Sequence, residues 1–291
     1  MTDDSYFFDS YAIIEIIKGN PNFDKFLDCQ FILTQLNIFE IHYNVLREYN
    51  EKKAKINLET GEVFGAEALL RWEHPERGFI TPGDFIRLAE HTGLFQPITT
   101  WVIDNASRQC SLWNDLGHKL RISINISTNC IHDGRLPAKL NEVILKNKLT
   151  PDQLTLELTE NIFIKDPVRS KKILDNVSKM GIGISIDDFG TGYSSLAYLK
   201  QLPVNEIKID RSFIMDMLEN ESDAVIVRAT IDLAHNLGMK VVAEGVESKE
   251  IVQLLKILGC DEAQGYYLGR PMEVEDFITY LEKNKSHLDL S

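Results

Sequence analysis

Glu67, Asn125, Glu157 and the pair Asp187-Asp188 each follow an apolar, largely β-branched run, and together they could hold a hard divalent cation. The runs are Ala66 before Glu67, Ile122-Ser123-Ile124 before Asn125, Leu154-Thr155-Leu156 before Glu157, and Ile184-Ser185-Ile186 before the aspartates. Each polar group therefore projects from the end of a buried strand. A carboxylate there is costly unless something positive meets it. Several converging on one point imply a bound cation, and all-oxygen ligands favour Mg²⁺ or Mn²⁺ over zinc.

Further strand ends add Lys208 and Asp210 from Ile207-Lys208-Ile209-Asp210, Glu244 from Val241-Val242-Ala243-Glu244, and Gln264 after Ala263. The period of two puts Lys208 and Asp210 on one face of their strand. A lysine beside carboxylates stays charged, and it can hold a nucleophilic water or neutralise a developing oxyanion. Two adjacent aspartates cannot both enter one pocket from an ideal strand, so the strand is expected to end there, turned by Phe189-Gly190-Thr191-Gly192. That turn would let Asp187 face two ions and Asp188 the second, an arrangement suited to in-line displacement at phosphorus. Arg71 at the same rim reads as a phosphate clamp. Any one of these acids alone reads as a helix cap or a surface charge. Their joint occurrence on consecutive strands carries the cation reading.

The elements that must position these groups alternate regularly. Strand-like runs fall at 62–72, 121–127, 154–160, 183–188, 206–210, 240–245 and 263–268. Amphipathic segments at 98–116, 136–147, 166–180, 222–237 and 248–258 lie between them, several closed by glycine at Gly117, Gly181, Gly238 and Gly259. Short apolar strands separated by helices make a parallel sheet covered on both faces. Seven in a row, with polar groups at their C-terminal ends, point to an α/β fold: a TIM-like (β/α)8 barrel with a short N-terminal α/β extension.

The bulk properties agree with that architecture. The 291 residues suffice for one barrel, with 44% hydrophobic and 26% charged residues. A formal charge of −13 argues against a surface that tracks a nucleic-acid polymer. Cys29, Cys110, Cys130 and Cys260 lack metal-ligand spacing and read as buried thiols of a reducing, cytoplasmic compartment. No apolar run approaches membrane-spanning length, and the acidic start lacks the basic character of a signal peptide. Trp72, Trp101 and Trp113 read as packing residues, and His74, His91, His118 and His235 as structural ones.

The first 55 residues break the rhythm. Phe7 to Ile17 reads as a strand running into a helix, and Gly19-Asn20-Pro21 as a turn. From Asn37 to about Lys55, Phe39, His42, Val45, Leu46 and Tyr49 recur at helical spacing. The charged run through Glu51-Lys52-Lys53 is expected to be that helix's solvated end.

At its motifs the chain resembles the EAL domain, a family that hydrolyses the bacterial second messenger cyclic di-GMP. The resemblance covers roughly residues 56 to 283. It rests on Glu67-Ala68-Leu69-Leu70-Arg71-Trp72, His74-Pro75, Asp187-Asp188-Phe189-Gly190-Thr191-Gly192, Lys208-Ile209-Asp210, Ala243-Glu244-Gly245-Val246-Glu247 and Gln264-Gly265-Tyr266. It implies a first ion on Glu67, Asn125, Glu157 and Asp187, and a second on Asp187, Asp188 and Glu244. Lys208 would orient the attacking water with Asp210 in support, so that Glu67, Lys208, Glu244 and Asp210 carry the catalysis. Leu70, Arg71 and Gln264 would meet substrate, with Gln264 reaching the second ion's water network. Glu160 would hold the loop after Asp188. Mg²⁺ or Mn²⁺ would serve the reaction and Ca²⁺ would inhibit it, and the product would be linear pGpG. Family members often form homodimers through the barrel rim.

The departure from the family lies in the lead-in, where a Tyr-Gln-Pro-Ile-like strand is usual. Ala54-Lys55-Ile56-Asn57-Leu58 takes that place before Thr60-Gly61, or else Phe39-Glu40-Ile41-His42-Tyr43-Asn44 does, with an extra loop. Residues 1 to about 55 also resemble the opening of a PIN-domain ribonuclease, on Phe8-Asp9-Ser10-Tyr11-Ala12, Glu15 and the helix bearing Glu40. That likeness implies a fragment without nuclease activity, since the family's later acids are missing. The chain thus divides into an extension over 1–55, a barrel over 56–283 and a tail over 284–291. The competing reading is a sensor that binds cyclic di-GMP without cleaving it, its pocket distorted by the altered lead-in.

Overall fold

The computed structural model describes residues 51–74, 78–80, 86, 89, 95–132, 134–160, 166–192, 196–284, 288 and 290. Residues 1–50, including the PIN-like stretch with Asp9 and Glu40, lie outside these, as do Cys29 and His91.

A run of short strands whose apolar residues are almost wholly buried builds a closed barrel. Its staves are β1 (Glu51–Asn57), β2 (Val63–Leu69), β5 (Arg121–Asn125), β6 (Leu154–Thr159), β7 (Gly183–Phe189), β8 (Glu206–Ile209), β9 (Lys240–Ala243) and β10 (Glu262–Ala263). Their order around the wall is β1-β10-β9-β8-β7-β6-β5-β2. Ile122, Ile124, Leu154, Leu156, Ile184, Ile207, Val241 and Val242 have no exposed surface, as continuous apolar strands of a covered parallel sheet require. Between the strands run the helices α1 (Phe95–Asp115), α2 (Thr128–Ile131), α3 (Leu136–Asn147), α4 (Pro167–Lys179), α5 (Leu196–Leu199), α6 (Arg211–Asp216), α7 (Glu221–Asn236), α8 (Lys249–Ile257) and α9 (Val274–Lys283). The longer helices match the amphipathic segments expected from periodicity. The glycines expected to close them, Gly117, Gly181, Gly238 and Gly259, all carry positive φ.

Two compact units contain the described residues: one is Glu51–Leu69 with Ile103–Ser291, and it holds the barrel. The other includes the described residues of 70–102, in which β3 (Trp72–His74) and β4 (Gly78–Ile80) pair as an antiparallel hairpin.

Residues 51–55 correct the helical expectation. They form the start of β1, which runs antiparallel to both neighbours, pairing Lys53 with Glu67 and Ile56 with Ala263. A five-residue connection to β2 permits only that direction. Asn57 builds the turn: its Oδ1 accepts from the amides of Glu59 and Thr60, and Gly61 follows with φ of 73°. The charged run is no solvated end, because Lys52 and Lys55 are 1% and 2% exposed. Period-two alternation explains Lys55: Lys53 and Lys55 face inward, while Lys52, Ala54 and Ile56 are buried against the helical shell. The lead-in is therefore the segment beside Thr60-Gly61, five residues longer than the boundary at 56.

Two further expectations need adjusting. The run 62–72 splits into β2 and β3, and 263–268 shortens to β10 followed by a turn closed by the amides of Leu268 and Gly269 on the Gly265 carbonyl. A Cβ on Gly265 would collide with the backbone of Val246, so only glycine lets these two loops approach. Trp113 is a packing residue as expected, fully buried with its ring 5.1 Å from that of Phe277.

Candidate active site

Every strand from β5 to β9 delivers a polar group to the same mouth of the barrel. Parallel pairing sets Asn125 opposite Glu157 and Thr159 opposite Asp187, so consecutive strands end at related heights. Glu244 and Gln264 extend β9 and β10 by one ladder step: the Glu244 amide donates to Ile209 O at 3.1 Å, and the Gln264 amide to Ala243 O at 2.9 Å.

Lys208 stands among the acids, with no more than 1% of its side chain exposed. Its Nζ lies 2.7 Å from Glu244 Oε1, 2.8 Å from Glu157 Oε2, 3.0 Å from Asp187 Oδ1 and 3.7 Å from Glu67 Oε2. Burial disfavours its charge, but the carboxylates of Glu157, Glu67, Glu244 and Asp187 overrule burial and raise its pKa well above the usual lysine value. It remains an ammonium.

The acids divide in response to the same field. Burial pushes Asp187 up to about 7, with Glu157, Glu244 and Glu67 adding repulsion that Lys208 only partly offsets. Burial also raises Glu67, against the pull of Lys208. Asp188, more open, is raised by burial and then by Glu244 and Asp210. Glu157 goes the other way: burial alone would raise it, yet Lys208 and Lys55 hold it far below the carboxylate range. Glu244 is likewise lowered, Lys208 and Lys53 winning over burial.

Asp187 and Asp188 enter the mouth together because β7 does not end where expected. It continues to Phe189 with a register shift between Ile186 and Phe189, and Asp188 adopts a positive φ of 53°. A bulge supplies the reorientation that the turn was expected to give. The following loop is pinned by Glu160, whose Oε1 accepts from the Gly190 amide at 2.8 Å. A Cβ on Gly192 would sit 2.6 Å from Glu160 Oε2, so the loop lies directly on that carboxylate.

The remaining expected residues are placed as follows. Asn125 Nδ2 donates to Glu67 Oε1 at 2.9 Å. Gln264, fully buried, donates to Glu67 Oε2 at 3.0 Å and also to Glu244 Oε1, bridging the two acids. Asp210 is turned to another task, capping α6 by accepting from the Ser212 amide and hydroxyl. Those hydrogen bonds, against the opposing effect of burial, lower its pKa. Leu70 and Arg71 follow β2 directly in the chain and belong to the other compact unit, where Arg71 Nη1 donates to the Leu70 carbonyl at 2.9 Å.

The donor set fits a divalent cation. Carboxylate oxygens of Glu67, Glu157 and Asp187 come within 4.8 Å of one another, and so do those of Asp187, Asp188 and Glu244. Asp187 belongs to both groups. The burial and mutual repulsion that raise Glu67, Asp187 and Asp188 are what a hard cation would offset, and oxygen-only donors suit Mg²⁺, Mn²⁺ or Ca²⁺. Sequence reading missed Lys55, which donates to Glu157 Oε1 at 2.8 Å. The alternation Lys53-Ala54-Lys55-Ile56 is the signal that could have found it.

Comparison with known proteins places this geometry among relatives. The EAL domain family matches residues 54–271. The bifunctional diguanylate cyclase/cyclic di-GMP phosphodiesterase MucR of Pseudomonas aeruginosa is 48% identical over 225 residues, which are 77% of this chain and 33% of that protein. The cyclic di-GMP phosphodiesterase PA2567 of the same organism is 39% identical over 79% of this chain and 39% of its own length. The chain thus spans roughly a third of the curated relatives it matches. Among solved structures, a PaMucR phosphodiesterase in complex with c-di-GMP superposes with a TM-score of 0.78 at 44% identity, covering 82% of this chain and 98% of that one.

Proposed function

This chain belongs to the EAL domain family, and on that premise we propose that it hydrolyses one phosphodiester bond of cyclic di-GMP, releasing linear pGpG. The observation that carries the proposal is the double grouping of carboxylates around Lys208, with Asp187 common to both groups. Two divalent cations, Mg²⁺ or Mn²⁺, fit it: Glu67, Asn125, Glu157 and Asp187 would hold the first, and Asp187, Asp188 and Glu244 the second. When bound, such cations polarise phosphoryl oxygens and acidify a water molecule at neutral pH.

The protein's own groups supply the rest. Lys208 is held charged at the centre, where it can orient the attacking water and balance negative charge growing on phosphate oxygens. Gln264 and Asn125 fix the two oxygens of Glu67, so that this carboxylate is set before any ligand arrives. Glu160 keeps the Gly190 loop in place and thereby Asp188. Asp210 supports the rim through its α6 cap. The complete ligand set favours hydrolysis over a sensor that only binds. Buried thiols at Cys110 and Cys260 support a cytoplasmic setting. Among the described residues no helix is long and apolar enough to cross a membrane.

The decisive assay incubates purified chain with cyclic di-GMP and Mg²⁺ or Mn²⁺ and separates products by chromatography. The expected result is pGpG, abolished when Ca²⁺ replaces either ion, because its longer bonds and higher coordination number loosen the geometry. Ligand binding by calorimetry without any pGpG would establish the sensor reading instead.

A proton should leave as the cation enters. Asp187 titrates at about 7 when folded, against about 3.9 for an unperturbed aspartate. A carboxyl raised in this way favours folding at low pH and withdraws that support as pH climbs from about 4 to about 7. The ion-free protein therefore loses stability across that window, and Mn²⁺ binding at pH 6 should release a proton. Calorimetric titrations in two buffers of different ionisation heat measure the release, and identical heats would refute it.

A further inference from the structure

Glu157 is gripped at both oxygens, and only one grip belongs to the mouth of the barrel. Lys208 takes Oε2 at 2.8 Å from above, while Lys55 takes Oε1 at 2.8 Å from below. Lys55 also donates to Glu206 Oε1 at 3.1 Å, and the same oxygen accepts from Ser185 Oγ at 3.0 Å. The Lys55 and Glu157 side chains are 2% and 0% exposed, and that of Glu206 is 8% exposed. Lys55, Glu157, Glu206 and Ser185 thus form a closed buried layer one step beneath the acids.

We propose that Lys55 is a positioning residue for the cation site, holding the Glu157 carboxylate from below so that Oε2 stays turned toward Lys208 and Asp187. The inference rests on reading Glu157 as a cation ligand. Three features favour it over an ordinary core ion pair. Lys55 carries its own counter-charge, Glu206, which lies outside the acid cluster, so the layer adds no net positive charge against an incoming cation. Its contact is to the oxygen that Lys208 does not use, so it persists when a cation competes with Lys208 for Oε2. A packing role alone would be served better by an apolar side chain, since a buried ion pair is often no more stable than its hydrophobic replacement. Groups behind a ligand that set its orientation commonly change metal affinity about 10- to 100-fold when removed.

The test measures Mn²⁺ affinity directly, by calorimetry, on the parent and on Lys55→Met/Glu206→Gln. The pair of substitutions removes one charge of each sign, so the net charge of the lumen is unchanged. The expected result is a Kd for Mn²⁺ weakened about tenfold or more. At saturating Mn²⁺ the KM for cyclic di-GMP should be unaltered, and Lys55→Arg, which keeps a charged donor, should recover much of the affinity. A folded double variant with the parental Kd would reduce Lys55 to a core ion pair and overturn the proposal. If the double variant does not fold, Lys55→Gln/Glu206→Gln, which keeps a donor and leaves the net charge unchanged, carries the same comparison. A parent that binds no Mn²⁺ defeats the cation reading itself, a result distinct from an unchanged Kd in the variant.

Discussion

Glu67→Ala should lower turnover of cyclic di-GMP about a thousandfold or more at saturating Mn²⁺, equivalent to about 4 kcal/mol of transition-state stabilisation. The size follows from how many partners converge on this side chain. Asn125 holds one oxygen, Gln264 holds the other, and Lys208 lies 3.7 Å from the second. Truncation removes an anionic ligand and leaves the amides of Asn125 and Gln264 without their acceptor. Glu67→Gln, which keeps the shape but not the charge, should fall nearly as far. Product formation by chromatography, with circular dichroism to confirm folding, measures both. Near-parental rates in a folded Glu67→Ala protein would show that the acids do not act as ligands.

Lys208→Met should alter stability as much as chemistry. The lysine is the shared counter-charge of Glu67, Glu157, Asp187 and Glu244. Without it, buried carboxylates face one another uncompensated, at a cost of about 3–5 kcal/mol for a broken buried pair. Urea unfolding of the ion-free variant should shift to a markedly lower midpoint, and Mn²⁺ should restore it by binding the folded state alone. The same variant should lose turnover even when Mn²⁺ has refilled the site, because the ammonium shared by Glu67, Asp187 and Glu244 is no longer there to orient water. An unchanged midpoint without Mn²⁺ would show that Lys208 does not balance the cluster.

Much of this site was legible before any coordinates, because each acid ends an apolar run and a strand end can be read locally. Glu67, Glu157, Asp187, Asp188 and Glu244 needed only that reasoning, and the Glu160 carboxylate accepts from the Gly190 amide in the loop after Asp188. What stayed hidden depends on contacts between remote parts of the chain. Lys55 meets Glu157 across 102 positions and Glu206 across 151, so nothing near Lys55 announces its partners. Its neighbourhood instead suggested a solvated helix end, since three charged residues in four rarely enter a core. The carboxylates of other strands reverse that rule by supplying charge inside the barrel. The bulge at Asp187-Asp188 escaped for a different reason: sequence demanded a reorientation there but did not say whether a turn or an irregular strand would provide it. Asp210 shows the limit of period-two reasoning. It shares a face with Lys208 on an extended strand, yet β8 stops at Ile209 and Asp210 also caps α6, while its charge still acts on Asp188.

The seam between β1 and β10 is short: Ile56 pairs with Ala263 and Asn57 with Glu262, and the Leu58 amide donates to the Asp261 carbonyl at 3.0 Å. It unites the earliest and latest staves of the wall, so its formation waits on the most distant encounter along the chain. Gln264 reaches Glu67 beside it, spanning 197 positions. In a wall left open at that seam, Gln264 could not bridge Glu67 and Glu244. Under the proposed function, tight cation binding would therefore report that the circle is complete.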